Sequence, residues 1–228
     1  IPNLRGAERA LAVGVDEFNL VMSVSETHNQ SNLRMSRADS AKALGEVISL
    51  AHQSKVAVNV SLSTSFGCPM SGMTPVDELM HWIDHFVAQG VRGISICDTT
   101  GMANPRQVTE ICEKAQSKHP STQWTLHFHN TRGMGLANAL AAVQAGIVRF
   151  DSSLGGLGGC PYAPGATGNI CTEELVHMLD LMGFHTNMNL DLLLEYAAEL
   201  RTLVDRPLPS QVLLAGKVDR LYDKICQS

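Results

Sequence analysis

The chain has 228 residues, 44% hydrophobic and 17% charged, and carries a formal net charge of −5 from 17 Lys and Arg against 22 Asp and Glu. This composition suits a globular core. It offers no basic patch for nucleic acid and no Lys/Arg cluster for an anionic membrane surface. The longest apolar runs are strand-length, short of the roughly 20 residues a membrane span requires. Six cysteines without a CxxC pair make a disulfide framework a poor fit in a chain this long and favour a reducing compartment.

Taken in chain order, the pattern alternates apolar strand and amphipathic helix. "EFNLVMSVSE" (17–26) predicts a strand. "SRADSAKALGEVISLAHQ" (36–53) predicts a helix, with Ser36 and Asp39 at capping-box spacing. "KVAVNVSLST" (55–64) is the second strand. The helix "TPVDELMHWIDHFVAQG" (74–90) follows, with Thr74 expected as N-cap, Pro75 at the first helical position and Gly90 at the end. "VRGISICDTTG" (91–101) precedes a helix over 104–118, and "TQWTLHFHNT" (122–131) precedes one over 135–145. "IVRFDSS" (147–153) reads as the fifth strand. A glycine-rich loop then leads to helices expected over 172–182, 189–205 and 209–227.

Short, β-branched, apolar strands between helices indicate an α/β fold with a parallel sheet. Polar residues gather where the strands end: Ser25 and Glu26, Ser63 to Ser65, Asp98 and Thr99, His127 to His129, Asp151 to Ser153. Five strand ends feeding one rim suit a (β/α)8 barrel better than a doubly wound sheet, whose site sits at a single switch point. A closed barrel needs eight strands and about 250 residues. The expectation is therefore a single partial barrel domain over 1–228, with about five of the eight βα units and C-terminal helices. Three further units, on the order of 90 residues at barrel spacing, are expected upstream.

"LHFHN" (126–130) puts His127 and His129 two apart in a strand, so both imidazoles leave the same face. They read either as a metal site or as a hydrogen-bonded pair on a crowded rim, and the barrel rim favours the metal. Imidazoles suit Mn²⁺, Fe²⁺, Co²⁺ or Zn²⁺ better than Mg²⁺. Asp98, at the end of "SICD", could bind metal, act as a base or merely cap the next helix.

The loop "DSSLGGLGGCPYAPGATGN" (151–169) has glycines at 155, 156, 158, 159, 165 and 168 around Cys160. Such a loop can close over a ligand as a lid. A thiol with an ordinary pKa of about 8.5 could then donate a proton beneath it. The alternative is a phosphate-cradling loop with an incidental cysteine. Asn169 closes the loop with an amide oxygen that could complete a metal site. Cys68, in "SFGCPMSG", is a rival thiol in what reads as a fixed turn. The remaining cysteines read as filler.

Together, "SSLGGLGGCPYAPGATGN", "LHFHNTRG", "GISICDTTG", "SFGCP" and "PNLRG" resemble the 3-hydroxy-3-methylglutaryl-CoA lyase family of metal-dependent TIM barrels, over essentially the entire chain. The resemblance implies cleavage of that thioester, or a close 3-hydroxy-3-methyl acyl-CoA, to acetyl-CoA and acetoacetate. It also implies a divalent metal, Mg²⁺ or Mn²⁺, held by His127, His129 and Asn169. Cys160, Asp98 and His127 are implied as the catalytic set, with Cys160 as the lid thiol and Asp98 in acid–base chemistry. An acyl-CoA partner and a homodimer follow from the same likeness. So does a place in the cytoplasm if the source is bacterial, or in the mitochondrial matrix if it is eukaryotic.

Isopropylmalate, homocitrate and citramalate synthases share an HxHN-like strand but carry a Gly-Glu-Arg-type loop where this chain has its cysteine loop, so a condensing synthase is the alternative. The family's first-strand Arg-Asp pair is not among these residues and is expected upstream. Were 1–228 the whole protein, the expectation is an inactive barrel that does not close.

Overall fold

The computed structural model describes residues 1–159 and 168–222. Its contacts divide the chain into two compact units. Among the described residues, the first holds 1–151 with 159 and 168–169, and the second holds 152–158 with those from 170 onward.

The first unit is built on a parallel sheet of strands β1 (Glu17–Ser23), β2 (Ala57–Ser63), β5 (Gly93–Asp98), β6 (Gln123–Phe128) and β7 (Phe150–Asp151), in that spatial order. Neighbours in space are also neighbours in sequence order, as in successive βα units. Helices α3 (Arg37–Ser54), α4 (Val76–Val87), α5 (Pro105–Lys118) and α6 (Gly135–Gln144) alternate with the strands. This is the α/β partial TIM barrel expected from the sequence.

The strands divide their side chains by face. Phe18, Leu20, Met22, Val58, Val60, Leu62, Ile94, Ile96, Leu126 and Phe128 are all buried. At roughly 1.5–3 kcal/mol for each large side chain removed from water, this apolar set is the main stabilising term. The alternate positions are polar. Asn59 Nδ2 donates to Asn19 Oδ1 at 2.8 Å and to Ser95 Oγ at 2.9 Å, and Ser61 Oγ donates to the same Asn19 oxygen at 2.9 Å. Gly93 pairs with Asn59 across the ladder, and a Cβ there would lie 2.7 Å from Asn59 Oδ1. The glycine makes room for the network.

Several boundaries differ from the sequence reading. Ser36 does cap α3, its Oγ accepting the Asp39 N–H at 3.0 Å and donating to the Asp39 carboxylate at 2.7 Å. Thr74 does not cap α4. Its hydroxyl donates to the Thr64 carbonyl at 2.7 Å, and Pro75 stands at the N-cap without a side-chain bond. The fifth strand spans only Phe150–Asp151, because only those residues pair with β6.

Two helices are present that the sequence pattern does not predict, α1 (Leu4–Ala12) and α2 (Glu26–Leu33). The second has no apolar stripe. It is fixed by Ser25, whose Oγ accepts the His28 N–H, and by the buried Asn29. A short antiparallel pair, β3 (Gly67–Cys68) and β4 (Gly72–Met73), carries Cys68.

The second unit contains a 3₁₀ turn (Leu154–Gly156) and helices α7 (Thr172–Leu181), α8 (Leu190–Leu203) and α9 (Gln211–Ala215). The last helix is far shorter than the expected 209–227, because Gly216 at φ +82° turns the chain out of it. Gly155 sits at φ +62°, and a Cβ there would meet Leu208 at 2.7 Å. Its N–H is held between both oxygens of the fully buried Glu173, at 3.2 and 3.1 Å.

Asn29 ties α2 to the sheet: its Oδ1 accepts the Ser23 N–H at 2.9 Å, and its Nδ2 donates to Met35 O at 2.9 Å and Ser40 Oγ at 2.8 Å. Asn29→Ala leaves two buried groups and one part-buried carbonyl without this partner, so a loss of about 2–4 kcal/mol is expected in urea unfolding. The exposed neighbour change Gln30→Ala should cost under about 0.5 kcal/mol; equal losses for the two would contradict this account.

Candidate active site

The chemistry-bearing residues of the first unit collect at the C-terminal ends of β5, β6 and β7. Parallel register sets Cys97 beside His127 and His127 beside Asp151. His129 follows β6 immediately and forms an isolated bridge with Asn169, while Asn130 N–H donates to Gly168 O at 3.0 Å. Three of the residues singled out in the sequence, His127, His129 and Asn169, are thus brought together.

The two imidazoles are neighbours, with ring centroids 5.2 Å apart and planes tilted by 54°. His127 is half-buried. His129 is buried, and its Nδ1 has no hydrogen-bond partner among the described residues. Burial, and then the adjacent His127, push its pKa down to about 4. Its ring is therefore neutral near pH 7, the state in which imidazole is a metal ligand.

Asp98 ends β5 and is 1% exposed. One oxygen caps the turn that follows: Oδ1 accepts the N–H groups of Met102 at 2.8 Å and Ala103 at 3.1 Å. The other, Oδ2, is buried without a hydrogen-bond partner among the described residues. Burial raises the carboxyl pKa to about 6 against the opposing pull of those two N–H groups, Arg132 and His127. Asp98 therefore caps the turn through one oxygen, and its second oxygen has no partner among the described residues.

Three further residues, not assigned from sequence, shape this rim. Asp151 Oδ2 lies 3.8 Å from His127 Nδ1, a proximity set by strand register that no local motif reveals. Arg132 donates through Nη1 to the carbonyls of Thr100 at 3.0 Å and Gly101 at 2.9 Å, clamping the turn behind Asp98. Thr64, at the end of β2, is held at φ +55°, a costly conformation for a β-branched residue. Ser25 N–H, donating to its hydroxyl, and Thr99 Oγ1, accepting its N–H, keep it there.

Cys160 lies outside the described residues. The rival Cys68 is fully buried in the β3–β4 pair. Burial pushes its thiol up, but Ser25, Ser71 and the N–H groups of Met70 and Ser71 outweigh it and leave the pKa lowered. Cys97, Cys112 and Cys171 are buried free thiols whose pKa values burial raises.

Among the described residues, no three His, Cys, Asp or Glu side chains are grouped to hold a metal. The donor set here is two imidazoles with the Asn169 amide, and the orphaned His129 nitrogen fits a cation better than a closed hydrogen-bond network.

The HMGL-like family model matches residues 1–199. A hydroxymethylglutaryl-CoA lyase of Bacillus subtilis is 42% identical over 217 residues, covering 95% of this chain and 73% of that protein. An (R)-citramalyl-CoA lyase of Chloroflexus aurantiacus is 38% identical, covering 99% of this chain and 70% of that protein. Among solved structures, an HMG-CoA lyase from Acinetobacter baumannii in complex with coenzyme A and 3-methylmalate is 46% identical. It superposes with a TM-score of 0.93 over 98% of this chain and 73% of its own.

The raised Asp98 pKa has a sign that can be tested. With a folded value of about 6 against an ordinary 3.8, the folded state holds the proton more tightly. The stability this gives is fully present below about pH 3.8 and is lost as pH rises through about 6. Asp98→Asn removes the dependence. In metal-free buffer the variant should be the more stable protein at pH 7.5, by on the order of 3 kcal/mol, and the gap should close by pH 4. A gap independent of pH, measured by thermal unfolding, would contradict the assignment.

Proposed function

The chain belongs to the HMGL-like family, and from that premise we propose that it cleaves 3-hydroxy-3-methylglutaryl-CoA to acetyl-CoA and acetoacetate. The observation that carries this reading is the neighbouring pair of imidazoles at the end of β6, bridged to Asn169 at the end of the glycine–cysteine loop. Its lyase relatives match nearly the whole chain, which leaves the condensing synthase unfavoured.

His127, His129 and Asn169 would hold a divalent cation, Mg²⁺ or Mn²⁺. When bound, that ion supplies Lewis-acid polarisation of the substrate's 3-hydroxyl group. The protein's own residues do the remaining work. Asp98, with its unengaged oxygen and a pKa of about 6, is ionised near pH 7 and placed to take up a proton at Oδ2. Loss of the hydroxyl proton lets the C2–C3 bond break, leaving acetoacetate and the thioester enolate. Cys160 then donates its thiol proton to the enolate carbon, giving acetyl-CoA. Exclusion of water from the site would let that one chosen donor meet the carbanion. Arg132 keeps the Asp98 turn rigid, and Asp151 sets the electrostatic surroundings of His127.

Under this reading the protein works as a homodimer, in the cytoplasm of a bacterium or in the mitochondrial matrix of a eukaryote. No helix among the described residues is long and apolar enough to cross a membrane. The citramalyl-CoA lyase relative favours a second substrate reading, since it matches 99% of this chain.

Acetyl-CoA release from hydroxymethylglutaryl-CoA and from citramalyl-CoA, measured side by side with Mg²⁺ or Mn²⁺, separates the two. The first thioester is expected to be the better substrate, and no turnover of either would sink the proposal. Cys160→Ser should lower turnover by about 10²–10³-fold while Mn²⁺ binding is unchanged. Unaltered turnover would remove the thiol from the reaction.

A further inference from the structure

Helix α4 carries two histidines one turn apart, His81 and His85, far along the chain from the rim residues. Positions i and i+4 share a helix face with their Cβ atoms about 5–6 Å apart. This is the spacing with which a helix chelates a transition ion through two imidazoles. Both residues are exposed, and both rings stand edge-on to the same indole. His81 lies 5.0 Å from the Trp82 ring at 75°, and His85 lies 5.6 Å from it at 74°. They open on a groove of about 430 Å³ between α3 and α4.

The groove is shaped for more than two rings. Gln89, just past the C-terminal end of α4, reaches back so that its amide lies 2.8 Å from His85 Nε2. Across the groove, α3 presents Gly45, where a Cβ would stand only 3.1 Å from Gln89 Oε1. A rotation of that amide about its terminal torsion turns its oxygen to where its nitrogen now faces the imidazole.

We infer that His81 and His85, with Gln89 as a third donor, form a second metal site on the outer face of α4 that takes a late first-row divalent ion such as Ni²⁺, Cu²⁺ or Zn²⁺. The donor set selects this class. No carboxylate lines the groove, and Asp84, next in sequence, is turned away to Lys118 and His119 at 2.7 Å each. Hard ions that require oxygen cages find no purchase on two imidazoles and an amide. Burial and the neighbouring His81 both lower the His85 pKa, which keeps its ring neutral and able to ligate near pH 7. Lys42 is the one charged residue lining the groove. Its ammonium faces water on a flexible stem, where repulsion of a bound dication is screened.

Calorimetric titration of the untagged protein with Ni²⁺ tests the site. The comparison uses wild type, His81→Ala/His85→Ala and His127→Ala/His129→Ala. The α4 double variant is expected to bind one ion fewer than wild type while keeping its lyase turnover. The β6 double variant should retain the α4 ion. The inference does not depend on the proposed reaction, because loss of turnover and loss of the α4 ion are read in different variants. Both α4 positions are exposed, and Ala favours helix, so a circular dichroism spectrum matching wild type is expected. Single variants His81→Asn and His85→Asn should each weaken Ni²⁺ binding by about tenfold. Wild-type stoichiometry and affinity in the α4 double variant would overturn the site.

Discussion

Strand alternation is the constraint on which this protein rests. Each parallel strand sends every second side chain into the apolar layer, and the others to a face that must be polar. In β6 the two sets interleave: Trp124, Leu126 and Phe128 are buried, while Thr125 and His127 occupy the alternate positions, with His129 continuing the series. The apolar set fixes the register, because a slip of one residue would turn His127 into the core and Phe128 out of it. The geometry of the imidazole pair is therefore held in place by hydrophobic packing rather than by bonds of its own.

Burial then sets the chemistry. Asp98 and His129 have almost no contact with water, and each shifts toward its neutral form, the carboxyl upward and the imidazole downward. The protein tolerates the cost at Asp98 because two backbone N–H groups and the Arg132-clamped turn hold the carboxylate from one side. The role proposed for Asp98 requires a group that is ionised near pH 7 yet retains affinity for a proton, and a pKa of about 6 suits both needs. The second unit makes a parallel use of burial. Glu173 there places both oxygens on one backbone N–H at Gly155, anchoring the first part of the glycine-rich stretch to α7.

The strands and the imidazole pair were legible because both depend on local period. β-branched runs announce β2 and β5, and a spacing of two places the histidines on one face. Where the signal is tertiary, the sequence was silent or misleading. Helix α2 lacks an apolar stripe because its inward contacts are the polar His28 and Asn29. Thr74 has the composition of a cap, but its hydroxyl is drawn to Thr64 across the turn. The fifth strand carries the β pattern over 147–153, yet only two of its residues find a partner. The approach of Asp151 to His127 comes from strand register, and Arg132 meets the Asp98 turn from another element. Neither relation leaves a mark in the order of residues.

A cation held by these two imidazoles and the amide would gain no charge neutralisation from those three groups, which gives weight to the carboxylates near them. Two carboxylates flank His127 on this rim. Asp151 lies 3.8 Å from its Nδ1 on one neighbouring strand, and Asp98 ends the other. Neither belongs to the ligand set read from sequence, and both act through space, where a buried site screens charge far less than water does. Asp98 is the more consequential of the two because it is buried and titrates within the working range, so its protonation changes the field at His127. In the reaction proposed above, proton uptake by Asp98 would be coupled to the charge felt at the imidazole pair, because a carboxylate that takes up the hydroxyl proton loses its negative charge. In the proposed reaction that loss coincides with the moment when the substrate oxygen becomes anionic, so negative charge passes from the protein to the substrate while the site as a whole stays balanced.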